Sequence, residues 1–232
     1  MHYIFDIDGT LTPSRQRMDP AFKEWFIEFA KNNRVYFATG SDKSASVEQL
    51  GSDLYNLAVR SYNCNGNEVW EGDDLIRAEP MGCLDELDKD LDRILSESKF
   101  HIKKGGHIEK RPGMVNFTIP GRPTTLEERF LYRQWDEHKN EREEMVEFLS
   151  KKYQGLTVSV AGETGIDIMW RGMDKSQIIQ DFDPKLVTFY GDKMQPEGND
   201  YTLSLAVARG GGTVHQVKSW EDTWKILKQL SE

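Results

Sequence analysis

A short apolar run, Tyr3-Ile4-Phe5, leads directly into Asp6-Ile7-Asp8-Gly9-Thr10-Leu11-Thr12. The run reads as a buried strand. Side chains alternate faces along a regular strand, so Asp6 and Asp8 would share a face if the strand continued through them. In open α/β sheets the backbone turns beyond the carboxyl ends of the strands, and the chemistry of such sheets is placed there. Two carboxylates at that point repel one another unless a cation neutralises them. Mg2+, a hard ion that takes oxygen ligands, suits the task. In isolation, Asp-x-Asp-Gly is an ordinary surface turn, because Asp and Gly both favour turns. The apolar residues directly before it select the strand-end reading.

Alternation then continues along the chain. Asp19 is a helix N-cap with Pro20 at the first helical position. The spacing predicts a helix over 19–32 that buries Phe22, Phe26, Phe29 and Ala30. A strand is expected over 34–38, closing on Thr39-Gly40-Ser41-Asp42, and a helix over 44–54. A β pair follows, with turn chemistry at Asn65-Gly66 and Gly72-Asp73. Such β-α-β-α order predicts a mostly parallel sheet covered by helices.

The pattern changes near residue 78. Leu84, Leu87, Leu91, Ile94 and Leu95 mark a charged amphipathic helix, and 114–119 reads as a strand. A charged helical region covers 126–153, broken once, and strands are expected over 156–161 and 166–170. Pro80 and Gly172 bracket this mixture, which reads as an inserted α+β unit. From Asp174 the first pattern returns: a helix, a strand over 186–190 running into Gly191-Asp192, a helix over 201–208, a strand near 213–217 and a helix over 219–230. The expected fold class is α/β: a Rossmann-like parallel-sheet core made of residues 1–78 and 173–232, with an inserted α+β cap domain over 79–172.

A chain of 232 residues suffices for one large domain or two small ones. A net charge of −9 opposes general nucleic-acid binding. Cys64 and Cys83 are too few for a disulfide scaffold and read as packed thiols in a reducing compartment. No apolar stretch approaches the ~18 residues of a membrane span, and residues 1–10 do not read as a secretory signal. A soluble cytoplasmic protein without a membrane or nucleic-acid partner is expected. Trp135, Trp170, Trp220 and Trp224 read as packing residues, and the histidines form no ligand pattern.

Asp6-x-Asp8-Gly9-Thr10 resembles the first motif of the haloacid dehalogenase superfamily. The resemblance implies that Asp6 is a nucleophile that takes a phosphoryl group and Asp8 a general acid/base. Five further residues fit the same logic. Thr39 ends a second strand and would donate a hydrogen bond to the transferring group. Lys175, in Asp174-Lys175-Ser176, would neutralise phosphoryl charge. Asp192, in Gly191-Asp192-Lys193, would hold Mg2+ together with Asp6 and Asp8, and Asn199 and Asp200 would support that metal site. Taken singly, Thr39-Gly40 is a common turn, Lys175 a solvated helix residue and Asp192 a turn residue. Their order along the chain is the order the superfamily requires.

The inserted unit holds a second constellation. Arg111, Arg122 and Arg129 surround one predicted strand and the start of a helix, at spacings that put them on no simple helical stripe. Three guanidinium forks converging on one point would bind a phosphate dianion. On the residues alone, three surface arginines paired with local glutamates are the slightly favoured reading. The run Arg111-Pro112-Gly113-Met114-Val115-Asn116, with Arg122 and Glu127-Glu128-Arg129 after it, resembles the cap of eukaryotic-type phosphomannomutases. Ala161-Gly162-Glu163-Thr164-Gly165-Ile166-Asp167-Ile168 and Gly172-Met173-Asp174-Lys175 are similar to that family's return from cap to core. Phe189-Tyr190-Gly191-Asp192-Lys193 through Gly198-Asn199-Asp200 is similar to its metal loop. The likeness runs from residue 3 to at least residue 230.

This resemblance implies an Mg2+-dependent phosphohexomutase that interconverts mannose 6-phosphate and mannose 1-phosphate through an aspartyl-phosphate on Asp6. Hexose 1,6-bisphosphate would be its activator and a hexose phosphate its substrate. Arg15, Arg111, Arg122 and Arg129 become phosphosugar ligands, Asp167 a partner of sugar hydroxyls, and two copies would pair through the cap. Gly165 stands where the family usually has Ser, and Glu163 also departs from it; the first removes a hydroxyl donor and the second adds a charge. Thr39 is closer to the general phosphatase pattern. A sugar-phosphate phosphatase on the same scaffold is the alternative, with a non-enzymatic phosphosugar-binding protein as a third reading.

Overall fold

The computed structural model describes residues 1–82, 84–196 and 198–230; Cys83 lies outside the described residues. In chain order it begins with β1 (His2–Phe5), α1 (Pro20–Asn32), β2 (Arg34–Ala38), α2 (Lys43–Leu50), α3 (Ser52–Tyr55), β3 (Arg60–Asn63), β4 (Glu68–Glu71) and β5 (Asp74–Ala78). Next come α4 (Asp85–Glu97), β6 (Ile108–Arg111), β7 (Met114–Thr118), α5 (Leu126–Lys139), α6 (Glu141–Lys152), β8 (Leu156–Ala161) and β9 (Gly165–Trp170). Two 3-10 segments, Lys175–Asp181 and Pro184–Leu186, precede β10 (Val187–Gly191), α7 (Tyr201–Arg209), β11 (Thr213–Gln216) and α8 (Trp220–Leu230). The chain divides into a core unit, Met1–Glu79 with Gly172–Glu232, and a cap unit, Pro80–Arg171.

In the core unit seven strands form one sheet in the order β11-β10-β1-β2-β3-β4-β5. The first five run parallel, and β4 and β5 add an antiparallel edge. β1 lies between β10 and β2, which is why Ile4 and Phe5 are fully buried. α1 starts where Asp19 accepts the N–H groups of Ala21 and Phe22, both at 3.0 Å. It buries Phe22, Phe26, Phe29 and Ala30. Phe22 stacks on Trp220 and Trp224 of α8, so these two tryptophans do pack the core.

Two expected helices differ from what folds. The helix over 44–54 is interrupted by Gly51 at φ 81°, which ends α2 by donating to the carbonyl of Val47 and starts α3. The helix after Asp174 is a 3-10 segment, its first turn capped where the Asp174 carboxylate accepts the Ser176 N–H at 2.8 Å. No helix among the described residues is long and apolar enough to cross a membrane.

The cap unit is a four-stranded antiparallel sheet in the order β6-β7-β9-β8. Val115, Phe117, Ile166, Ile168 and Val158 point to one side, where they pack with Leu87 and Leu91 of α4, Tyr132 of α5, and Met145 and Leu149 of α6. Strand alternation sends Asn116 and Asp167 to the other side. The helical region breaks at Asn140, which adopts the left-handed conformation at φ 53° between α5 and α6. β6 was not expected from the sequence. It is an edge strand reading Ile-Glu-Lys-Arg, and charge of this kind blunts edges.

Candidate active site

β1 ends at Phe5, and its ladder persists for one more residue because the Asp6 N–H donates to the Tyr190 carbonyl at 2.9 Å. The chain then closes tightly: the carbonyl of Ile7 accepts the N–H groups of Thr10, Leu11 and Thr12. Gly9 sits in this turn at φ 85°, and a Cβ there would lie 2.4 Å from Oδ2 of Asp192. Only glycine lets the turn after β1 approach the loop after β10 this closely.

Asp6, Asp192 and Asp200 each bring a carboxylate oxygen within 4.8 Å of the others. Lys175 joins them from the 3-10 segment. Its Nζ donates to Oδ1 of Asp6 at 2.7 Å and to Oδ1 of Asp200 at 2.6 Å. The lysine is wholly buried, an arrangement tolerated only because it is paired twice. Burial by itself would strip its proton; the carboxylates of Asp200 and Asp6 outweigh that and hold its pKa above the ordinary range. Burial, with the charge of Asp200, raises Asp6 well above the usual carboxylate range against the pull of Lys175. Burial pushes Asp192 up to about 6, although Lys193 works against it.

One ammonium against three carboxylates leaves two negative charges, the complement of a divalent cation. Oδ1 of Asp192 is buried without a hydrogen-bond partner, so a lone pair in the cluster lacks a donor. An all-oxygen set with this charge fits a hard ion such as Mg2+. Asp200 is further oriented by the Lys193 N–H at 3.1 Å, and Asn199 stands half-buried in the turn directly before it.

Asp8 is held apart from this group. Its Oδ1 accepts the Arg15 N–H at 2.6 Å and its Oδ2 the Ser41 hydroxyl at 3.4 Å. The regular strand stops before Asp6, so strand alternation does not govern where Asp8 points, and its carboxylate is not among the three gathered ones. Arg15 takes up a left-handed backbone at φ 58°, which turns its N–H toward Asp8. Thr39 is buried at the end of β2, its hydroxyl oxygen accepting the Ser41 N–H at 3.1 Å. Of the core residues singled out in the sequence, Asp6, Lys175, Asp192 and Asp200 form one group, and Asp8 and Arg15 another that Ser41 links to Thr39.

In the cap unit, strand register puts Glu109, Asn116 and Asp167 in one row across β6, β7 and β9. Asn116 donates from Nδ2 to Oδ1 of Asp167 at 2.5 Å, and its Oδ1 accepts from Arg122. Arg122 Nε also lies 3.1 Å from Oε2 of Glu109. Arg111 grips the same glutamate twice, Nε to Oε1 at 2.8 Å and Nη2 to Oε2 at 2.9 Å. Arg111 and Arg122 thus converge on one carboxylate, joined through Asn116 to Asp167. Arg129 stands in the first turn of α5, 3.9 Å from Glu163. Each arginine has a glutamate partner, as the plainer sequence reading expected, and two of them share one. Gly165 opens β9, and a Cβ there would meet the Phe117 carbonyl at 3.1 Å and the Asn116 amide at 3.3 Å. Sequence reasoning missed the organising roles of Glu109 and Asn116. The available signal was Asn116, a polar residue amid the apolar Met114-Val115-x-Phe117.

The model of the eukaryotic phosphomannomutase family matches residues 22–232. The chain is 32% identical over 238 residues to a phosphomannomutase of Saccharomyces cerevisiae, covering 98% of this chain and 92% of that one. It is 32% identical over 247 residues to a probable phosphomannomutase of Caenorhabditis elegans, covering 98% and 95%. Among solved structures, a haloacid dehalogenase-like hydrolase from Bacteroides thetaiotaomicron superposes with a TM-score of 0.62 at 14% identity, covering 98% of each chain.

Proposed function

The chain belongs to the eukaryotic phosphomannomutase family, on a haloacid dehalogenase-like fold, and from this we propose the chemistry by which it moves a phosphoryl group between the positions of a hexose phosphate. Asp6 is the nucleophile. Lys175 holds its Oδ1, which orients the carboxylate and leaves Oδ2 to attack phosphorus. The phosphorus–oxygen bond to the sugar breaks as the aspartyl bond forms, and Asp8 gives its proton to the departing sugar oxygen. In the opposite step Asp8 takes the proton of the hexose monophosphate hydroxyl that attacks phosphorylated Asp6, and the bisphosphate so formed reorients to return its other phosphate to Asp6. The Arg15 N–H and the Ser41 hydroxyl keep Asp8 oriented for both transfers. Thr39 and Lys175 neutralise and orient the transferring group.

Mg2+ would be held by Asp6, Asp192 and Asp200 with Asn199 beside them, and would neutralise the carboxylates and the charge on the phosphoryl oxygens. Arg111, Arg122 and Arg129 would take the phosphate that is not reacting, exchanging Glu109 and Glu163 for it, and Asp167 would accept from sugar hydroxyls. Hexose 1,6-bisphosphate would load Asp6 with its first phosphoryl group. A cytoplasmic location accords with this substrate. Leu126, Phe130 and Leu131, exposed at the start of α5, support pairing of two copies through the cap.

The observation that carries the core assignment is the buried ammonium of Lys175 bridging Asp6 and Asp200 beside Asp192. Incubation with mannose 1-phosphate, Mg2+ and catalytic glucose 1,6-bisphosphate should yield mannose 6-phosphate with little free phosphate. Phosphate released without isomer would instead establish a phosphatase. Asp6→Asn should abolish turnover. Arg122→Ala should lower isomerisation at least about tenfold more than hydrolysis of a small phosphoester. Equal loss in the two assays would remove the cap arginine from phosphate binding.

A further inference from the structure

Asn67 is wholly buried between the 3-10 turn Cys64–Gly66 and β4, and its side-chain amide bonds to Cys64, Met173 and Gln177 rather than to the acidic cluster or Lys175. Its amide is spent on three other segments. Nδ2 donates to the carbonyl of Cys64 at 2.7 Å and to that of Met173 at 2.9 Å. Oδ1 accepts from Nε2 of Gln177 at 3.1 Å, and the same Nε2 donates to the Asn65 carbonyl at 3.0 Å. The partners set the orientation of the amide: turned over, it would put its oxygen against two carbonyls and its NH2 against a donor. The peptide of Asn67 is used as well, its carbonyl accepting the N–H of Glu79 at 2.8 Å.

These partners are not scattered. Glu79 is the core residue at which the chain leaves for the cap unit, and Met173 is the second core residue after its return. One buried asparagine therefore anchors both crossings. Lys175 lies two residues beyond Met173, and Gln177 belongs to the same 3-10 segment. Runs of 3-10 helix longer than about four residues are uncommon, because their hydrogen bonds are poorly shaped. This one has seven residues, so its position depends on what grips it from outside. Gly66 packs against it from the same turn: at φ 90°, a Cβ there would lie 3.0 Å from Ile178 and 3.1 Å from Gln177.

We propose that Asn67 is a positioning residue for phosphoryl transfer. Through Met173 and Gln177 it sets where Lys175 presents its ammonium to Asp6, and through Glu79 it ties that setting to the other crossing. This rests on the roles of Asp6 and Lys175 given above. Misplacement of a catalytic group by about 1 Å lowers rate steeply while leaving substrate affinity largely intact.

The test compares Asn67→Ala, Gln177→Met and Asp6→Asn in the full chain, with isomerisation kinetics and thermal unfolding measured on each. Asn67→Ala should lower kcat by about tenfold or more with KM for the hexose phosphate within about threefold. Gln177→Met keeps the side-chain volume and removes only the amide; it should lower kcat by roughly threefold to tenfold without a change in KM, and it decides the matter if Asn67→Ala does not fold. Full kcat in Gln177→Met, or a fall in kcat no larger than the loss of folded protein, overturns the positioning role. Activity retained in Asp6→Asn would overturn the nucleophile assignment instead, so the two failures are distinguishable.

Discussion

Asp192 shows how a residue's environment sets its chemistry. Burial lifts its pKa from 3.8 to about 6, so the folded protein without metal holds this proton more tightly than the unfolded chain does. A raised carboxylate stabilises the fold while protonated; that contribution is complete below the unfolded value and is lost as pH rises through about 6. A divalent cation binds the ionised form and reverses the trend. The rise in unfolding temperature caused by Mg2+ should therefore grow between about pH 5 and about pH 7.5. Scanning calorimetry at fixed Mg2+ reads this directly, and a shift that is constant or shrinks over that range would exclude these carboxylates as ligands. At the same scale, Asp6, Asp192, Asp200 and Lys175 were singled out together by their order along the chain, which resembles that of the haloacid dehalogenase superfamily. The double pairing of Lys175 was not, because nothing local distinguishes a buried lysine from a solvated one.

Elements were legible where local signals agreed. α1 has its cap, its Pro20 and its apolar face all in register, and it forms where they say. α5 begins with a full capping box: the Thr125 hydroxyl accepts the Glu128 N–H at 3.2 Å, and the Glu128 carboxylate accepts the Thr125 N–H at 2.8 Å. Thr125→Ala should destabilise the protein by about 1 kcal/mol in urea unfolding. Arg129 rides on that first turn, so KM for the hexose phosphate should rise more than kcat falls; an unchanged KM would detach Arg129 from the substrate. Legibility failed where tertiary contacts overrode local preference. β6 is a charged tetrapeptide that becomes a strand only because β7 offers it a partner edge. The segment after Asp174 has acceptable α-helical composition, yet Asn67, Asn65 and Gly66 hold it as a 3-10 run.

At the scale of the whole molecule, the exposed Leu126 and Phe130 of α5 bear on assembly. Under the proposed pairing through the cap, Phe130→Glu with Leu126→Glu should leave the chain monomeric in sedimentation, because buried charge without a partner is costly at an apolar contact. A wild-type chain that is monomeric at micromolar concentration would dismiss the cap as a pairing surface.

The sequence by itself determined the alternation of the core, the interruption by a mixed unit, the strand-end aspartates and the family likeness. All of these rest on periodicity, capping and motif order within short stretches. Only the tertiary structure decided that Lys175 reaches Asp6 across 169 residues, that Asp8 stands apart with Arg15 and Ser41, and that Arg111 and Arg122 meet on Glu109. Such meetings follow from strand order, register and burial. The ionisation of Asp6 and Lys175 is then set by distances that no local pattern encodes.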